Sequence, residues 1–361
     1  MATELGRRPR RRRQVLATAA VLAMSVLGTT ACGAAADQPA GTGPAAGGQV
    51  VWADYGGPTN KSRQTAFFDG FAAESGVAVN SVTLDFTAAD TQLKGGAGGY
   101  DAVQQGVADM AAYLPGLAVL DADVPRDTTL PAQLRDYGFA SFVTGYAIGY
   151  PTATFPQGPQ SWADFWDVAR FPGKRAWPGS PTSFYNTCEA AQMAAGKSPA
   201  QLYPLDLDLC TRMFDQLRPD MVFYQSYPEV QQLLASGTAA MAFAPTGQYY
   251  GLKNAGQDIT IVWTDAIVSR SAFVVPANAP NKANVMALAK AFADPRKQAQ
   301  FAQLTGYGPA NPEAFAHLEP EAAANIVNAP EHTRLVEEDY AYYASNGGAL
   351  LDWYTTWLGA S

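Results

Sequence analysis

Residues 49–82 read QVVWADYGGPTNKSRQTAFFDGFAAESGVAVNSV, and this stretch decides the fold. Gln49 to Ala53 is a short run rich in β-branched and aromatic residues, halted by Gly56-Gly57-Pro58, and it reads as a strand. From about Lys61 to Ser75 the apolar residues Phe67, Phe68, Phe71 and Ala72 recur at helical spacing. Gly76 stops that helix, and Val77 to Val82 returns to strand character. Strand, helix, strand at this spacing requires a crossover, so the two strands pair in parallel within an α/β sheet.

Working outward toward the C-terminus, Tyr100-Asp101-Ala102-Val103 reads as a third strand and Asp136 to Tyr150 has β character. Trp162 to Val168 reads as a helix capped by Ser161, with Asp164 three residues on. Helices are expected at Thr187–Ala195, Leu205–Leu217, Glu229–Ala235 and Ala283–Ala293, and later at Glu321–Asn328 and Thr333–Ser345. Met241–Ala244, Ile259–Trp263 and Ala272–Val275 read as separate strands. The chain's 361 residues suggest two domains or one large one, and 48% hydrophobic residues allow a sizeable core.

Toward the N-terminus the character changes. Six arginines between Arg7 and Arg13 precede the apolar run Val15–Leu27 and then Gly28-Thr29-Thr30-Ala31-Cys32. A basic start, an apolar run of about a dozen residues and a small-residue exit describe a secretory signal peptide over 1–31, too short to span a bilayer. The residues before Cys32 resemble a bacterial lipobox, with Thr29 where leucine is common; Cys32 is then the expected lipidation site. Arg12-Arg13 leaves both general secretion and twin-arginine export open. Residues 32–48, mostly Ala, Gly and Pro, read as a lipid-anchored flexible linker.

The formal net charge is −8, which argues against nucleic acid as partner. Without residues 1–31, which carry six Arg and one Glu, the charge becomes −13. Two histidines and three cysteines leave little material for a metal site, and no metal or cofactor is expected. Cys188 and Cys210 are expected to pair in an oxidising setting, the other possibility being two buried thiols. Gly196-Lys197-Ser198 lacks the first glycine of a phosphate loop, Gly95–Gly99 has the wrong spacing for a dinucleotide fingerprint, and no nucleophile elbow occurs. No catalytic residue is assigned.

Several segments, in order, resemble the extracytoplasmic solute-binding proteins of ABC importers, in the spermidine/putrescine-like branch. They are Tyr55-Gly56-Gly57, Ser75-Gly76-Val77-Ala78-Val79, Tyr100-Asp101-Ala102-Val103, Gly116 to Asp121, Gln160 to Asp167, Phe171 to Arg175, Gln231 to Gly237, Ala279 to Lys282 and Gly306 to Asn311. The resemblance implies a two-lobed periplasmic-binding-protein fold (type II), with a central cleft and crossover hinge strands. It places lobe one at 49–144 and 268–315, lobe two at 145–267, and bracing C-terminal helices at 316–361. The implied function is capture of a small polar solute by hinge closure and delivery to an ABC permease and its ATPase. The protein is then a monomer anchored to the outer face of the cell membrane. A surface sensory or adhesive lipoprotein of the same fold is the alternative, and an exported enzyme the remoter one.

Ligands of α/β lobes bind beyond the carboxyl ends of strands, which nominates Tyr55, Gly56, Gly57, Gln105, Ser180, Thr182, Tyr185, Tyr224, Ser226, Thr246 and Gln248. In the crossover segment, amine-binding relatives carry an aromatic residue and an acid where this chain has Arg270-Ser271. Asp265, Arg270 and Ser271 therefore join the candidates. Arg270 either grips a carboxylate of the solute or pairs with Asp265. A free Arg270 argues for a zwitterionic or carboxylate-bearing, amine-derived solute ahead of a plain polyamine.

Overall fold

The computed structural model describes residues 48–56 and 58–360. The signal-like segment, Cys32 and Gly57 lie outside them. Among the described residues, ten strands form one sheet: β1 (Gly48–Asp54), β2 (Val77–Thr83), β3 (Ala102–Gly106), β4 (Gly138–Pro151), β5 (Arg175–Pro178), β6 (Met221–Tyr224), β7 (Met241–Pro245), β8 (Ile259–Val274), β9 (Gly308–Pro309) and β10 (Leu335–Glu337). Their order is β2-β1-β3-β8-β4-β7-β5-β6, with β9 on β4 and β10 on β8.

β1 and β2 pair in parallel from Gly48 opposite Val77 to Asp54 opposite Thr83. The intervening helical stretch, 58–75, carries Phe67, Phe68 and Phe71 inward and ends at Gly76. Gly76 has φ 72°, a left-handed C-cap that glycine adopts without a Cβ penalty. β5 is parallel to both β6 and β7, while β4 and β8 are antiparallel and long, at 14 and 16 residues. These two strands run through both halves of the sheet.

Each half has its own aromatic core. In the first, Trp52 stacks on Phe292 at 5.1 Å and packs against Phe68, Phe139 and Phe273. In the second, Trp177 contacts Phe165, Phe214 and Phe243. Each fully buried ring contributes about 2–3 kcal/mol. The helix Tyr340–Gly359 inserts Tyr354 and Trp357 against Phe214 in this second core. Cys188 and Cys210 form a disulfide there, tying the helix Thr187–Ala194 to the helix Leu207–Leu217. Ser161 accepts from the Asp164 amide and caps the helix Trp162–Trp166.

Three expectations change. Ile259–Trp263 and Ala272–Val275 belong to one strand, β8, because the chain stays paired across a bulge. Four β8 residues, Trp263 to Ala266, face the single β4 residue Ala147, with Asp265 at φ 56° in that excursion. Thr333–Ser345 is not a helix throughout: Leu335–Glu337 is strand β10, and the helix begins at Tyr340 behind the cap of Asp339. The hydrogen bonds available from β8 override the local helical pattern. At Glu321–Asn328, only the short helix Pro320–Ala323 forms.

Candidate functional site

The carboxyl ends of β1 and β3 lie side by side, since Trp52 and Ala53 pair with Ala102 and Val103. β1 hands over to Tyr55-Gly56, and the Tyr55 amide donates to Gln104 Oε1 at 3.3 Å. Gly56 sits at φ 76°, and a Cβ there would stand 3.1 Å from Thr83 Oγ1. β3 leads through Gly106 into the helix Val107–Tyr113, whose first turn carries Asp109. A Cβ on Gly106 would crowd Asp109 Oδ2 at 3.0 Å, so glycine lets the carboxylate lie against the strand end.

Across the cleft, Tyr185 donates its hydroxyl to both Asp109 oxygens, at 3.2 and 3.4 Å. Its ring is stacked on Phe184 at 4.3 Å and lies 5.1 Å from Tyr343. The Tyr146 and Tyr227 hydroxyls are 3.1 Å apart. Tyr55 is 47% exposed and stacked on exposed Phe86 at 5.7 Å. Its hydroxyl nevertheless has a raised pKa, because surrounding protein desolvates it and Asp109 and Tyr227 add unfavourable charge.

Acids line the rear of this space. Burial raises the Asp109 pKa, partly offset by the Tyr185 hydrogen bond. Burial also raises that of Glu189, which accepts from Tyr203 at 2.6 Å and Tyr343 at 2.7 Å. Glu338 is 4% exposed and is pushed up to about 8, by burial first and then by Glu189, with Asn186 and Ser269 opposing. No lysine or arginine stands among the groups that shift these three carboxyls. A carboxyl away from water and without a cation disfavours its charged form.

Arg270 is not the free cation the sequence suggested. Its guanidinium forms a two-pronged pair with Glu337 and donates to the Tyr340 hydroxyl at 2.8 Å. Burial works against its charge, but Glu337 and Tyr340 more than restore it, and its pKa is raised. Asp265 is not its partner either, since Arg334 holds that carboxylate at 2.8 Å. The argument from a free Arg270 to a solute carboxylate therefore fails. β10 brought Glu337 alongside β8, a pairing that the helical reading of 333–345 did not foresee.

The other nominated residues divide. Tyr55, Gln105 and Ser271 gather around Gly106: Tyr55 through its hydroxyl, Gln105 as the preceding residue, Ser271 as its β8 partner. Gly56, next to Tyr55, donates its amide to Asp54. Tyr185 faces them through Asp109. Ser180 and Thr182 bond to each other at 3.1 Å in the turn before Tyr185. Tyr224 is buried in the second core and donates to the Phe243 carbonyl. Ser226 is exposed and bonds Glu229. Thr246 is fully buried, and Gln248 bonds Gln231. Tyr224 is thus taken up by the second core and Asp265 by its pair with Arg334, while the Thr246 hydroxyl is buried without a partner among the described residues. Gly57 lies outside the described residues.

Asp109, Glu338, Tyr146 and Tyr227 escaped the sequence reading. Asp109 was within reach of it, lying four residues beyond Gln105 in the turn where the strand-end rule applies. Glu338 offered no local signal. Among the described residues, no group of three or more His, Cys, Asp or Glu is arranged to hold a metal. Among them too, no helix is long and apolar enough to cross a membrane.

Comparison with known proteins agrees with this architecture. A γ-aminobutyric acid-binding protein of Pseudomonas aeruginosa is 27% identical over 236 residues, 63% of this chain and 66% of that protein. The spermidine/putrescine-binding periplasmic protein of Escherichia coli is 26% identical over 195 residues, 52% of this chain and 54% of that one. The chain thus matches just under two thirds of the first curated relative's length and about half of the second's. Among solved structures, a GABA receptor superposes with a TM-score of 0.78 at 26% identity, covering 87% of this chain and 98% of the other. An A. tumefaciens R10 binding protein in complex with agropinic acid gives 0.75 at 25%, covering 86% and 99%. The sheet is therefore that of the type II periplasmic binding proteins. Residues 66–331 match one family across most of the described chain, and the protein belongs to the bacterial extracellular solute-binding proteins.

Proposed function

We propose that this protein is the substrate-binding component of an ABC importer, and that its solute carries an ammonium group. The observation that carries the reading lies between Tyr55 and Tyr185: the Tyr185 hydroxyl donates to Asp109, the Tyr55 hydroxyl bonds the Gly106 backbone within reach of that carboxyl's charge, and among the described residues no cation pairs with Asp109. An ammonium group would pair with Asp109, donate to the tyrosine hydroxyls and lie against their ring faces. A charge-assisted hydrogen bond in such a place is worth about 1.5–3 kcal/mol. Tyr55, Gly56, Gln105, Tyr185 and Ser271 are the contacts we assign among the nominated residues. The relatives support the class, since the names of two of them refer to γ-aminobutyric acid and that of a third to spermidine and putrescine.

Solute touching both walls favours the closed arrangement over the open one, so capture is a population shift about β4 and β8. We take 49–144 with 268–315 as one lobe, 145–267 as the other, and 316–361 as the brace. Delivery to a permease and its ATPase, a monomeric state, binding without catalysis and tethering through Cys32 complete the proposal. The test is a thermal-shift and calorimetric screen with γ-aminobutyrate, putrescine, spermidine and butyrate. The amines should raise Tm and bind, whereas butyrate should not. Stabilisation by butyrate alone would overturn the ammonium assignment.

A further inference from the structure

Glu338 is left over once the cleft walls have been assigned. It follows β10, which lies parallel on β8 with Glu337 opposite Val268, and its amide donates to the Val268 carbonyl at 3.0 Å. Neighbouring residues along a strand turn to opposite faces. Glu337 accordingly goes to Arg270, and Glu338 goes the other way, into the protein, where the Ser269 and Asn186 side chains approach its carboxyl. Its Oε2 is buried and has no hydrogen-bond partner among the described residues.

Beyond Ser269 and Asn186, the groups that bear on it are acids and phenols. Asp109 comes from the helix after β3, Tyr146 from β4, and Glu189 from the helix Thr187–Ala194. Tyr185 and Tyr203 come from the loops flanking that helix, and Tyr340 and Tyr343 from the C-terminal helix. Asp339, next in the chain, caps that helix through the Tyr342 amide. The one cation nearby in these contacts, Arg270, is bound by Glu337. Among the described residues, Asp109 and Glu189 thus bear on Glu338 through their charge, and none of the three carboxyls forms an ion pair.

We propose that Glu338 is a second anion of the solute site, which accepts the solute's cationic end alongside Asp109 by giving its own proton to water as that cation arrives. The inference rests on the ammonium reading above. The exchange balances: a neutral carboxylic acid and an ammonium ion become a carboxylate–ammonium pair, and one proton passes to solvent. The raised pKa of about 8 agrees with a neutral Glu338 in the free protein at pH 7. A side chain on the C-terminal segment would thereby sense occupancy and, through β10 and β8, pass it to the strands about which the cleft closes.

The experiment is calorimetry on the full chain with γ-aminobutyrate and putrescine, in buffers of differing ionisation enthalpy. A solute ammonium titrates near ~10, as a lysine does, and contributes no proton between pH 6 and 8. Wild type should release more than half a proton per solute at pH 7, and its affinity should rise at least fivefold from pH 6 to 8. Glu338→Gln, nearly the same shape, should abolish most of the release, flatten the pH profile and bind at least tenfold more weakly. Proton release that persists in Glu338→Gln would assign the exchange to Asp109 and overturn the proposal. Amine binding with no release, or unchanged binding by Glu338→Gln, would also overturn it and leave the ammonium reading standing. If neither amine binds, both fall. If Glu338→Gln does not fold, the same proton count on Asp109→Asn decides: release that persists there belongs to Glu338, and release lost there overturns the proposal.

Discussion

Two places in this molecule bury acidic charge, and they treat it in opposite ways. At the end of β1, Asp54 is fully buried and meets the guanidinium of Arg63, 2% exposed, at 2.7 Å. Three rings, Phe142, Phe273 and Phe301, lie 5.0–5.3 Å from that cation, and the Gly56 amide donates to Asp54 as well. At the cleft, Asp109, Glu189 and Glu338 receive hydroxyls but no cation. In the first the two opposite charges meet within the chain and hold β1 to the helical stretch behind it, with Arg63 Nη2 left without a partner among the described residues. On the reading proposed above, the second is complete only when something positive enters. Carboxyls without a counter-ion resist ionisation, and that strain on the charged form is then the source of selectivity for a solute that brings a cation.

The largest expected effect breaks the completed pair. Arg63→Ala should lower stability by about 3–5 kcal/mol, because Asp54 would remain buried and unpaired; chemical denaturation of the free protein measures it. An Arg63→Leu, Asp54→Leu double variant should recover most of that loss, since an apolar pair restores packing without charge. If the double variant were as unstable as the single one, the pair would not be the self-contained unit described here.

At the cleft the same kind of change should act on binding instead. Asp109→Asn should weaken amine binding at least tenfold, about 1.4 kcal/mol, while the Tm of the free protein stays level or rises. A fall in Tm of more than ~4 °C without loss of binding would make Asp109 a structural acid like Asp54.

Glu338 gives the next contrast, in pH. Its folded pKa, about 8, lies above its ordinary value of 4.5. The folded protein therefore binds this proton more tightly than the unfolded chain does. The stabilisation is fully present below about pH 4.5 and is lost as pH rises through 8. Glu338→Gln keeps a neutral group there, so at pH 9 its Tm without solute should exceed wild type's by at least ~2 °C, and at pH 5 the two should agree. Equal Tm at both pH values would remove the strain argument.

The smallest effect belongs to Arg270. The Glu337 side chain is 57% exposed, so losing the pair in Arg270→Ala should cost about 1 kcal/mol or less. Solute affinity should change by less than threefold in calorimetry. A tenfold loss would return Arg270 to the cleft.

The local signals that could be read along the chain were those that depend on neighbours in sequence. Phe67, Phe68 and Phe71 share a helix face because of helical spacing, and the Tyr55-Gly56 turn follows β1 because glycine accepts φ 76°. Ser161 announced its helix by capping chemistry. The proposed site was partly legible in the same way: Tyr55 and Gln105 lie where strands end, Asp109 follows by the same rule, and Ser271 was nominated from the crossover segment inside β8. Tyr224 was misplaced since a tyrosine at a strand end points outward or inward according to what packs over it, and here the second core takes it.

By itself, then, the sequence determined the α/β class, the parallel β1–β2 unit, the two-lobed family resemblance and the absence of any recognisable catalytic motif. Spacing, turn chemistry and composition act over a few residues and survive without the rest of the fold. Only the tertiary structure decided which charges are satisfied. Arg270 lies 67 residues before Glu337, and Glu338 lies 149 after Glu189 and 229 after Asp109. β10 joining β8 brought the first pair together and forced the next residue toward the acids. Charge pairing is a property of distance in space, set by sheet register, and no periodicity along the chain encodes it.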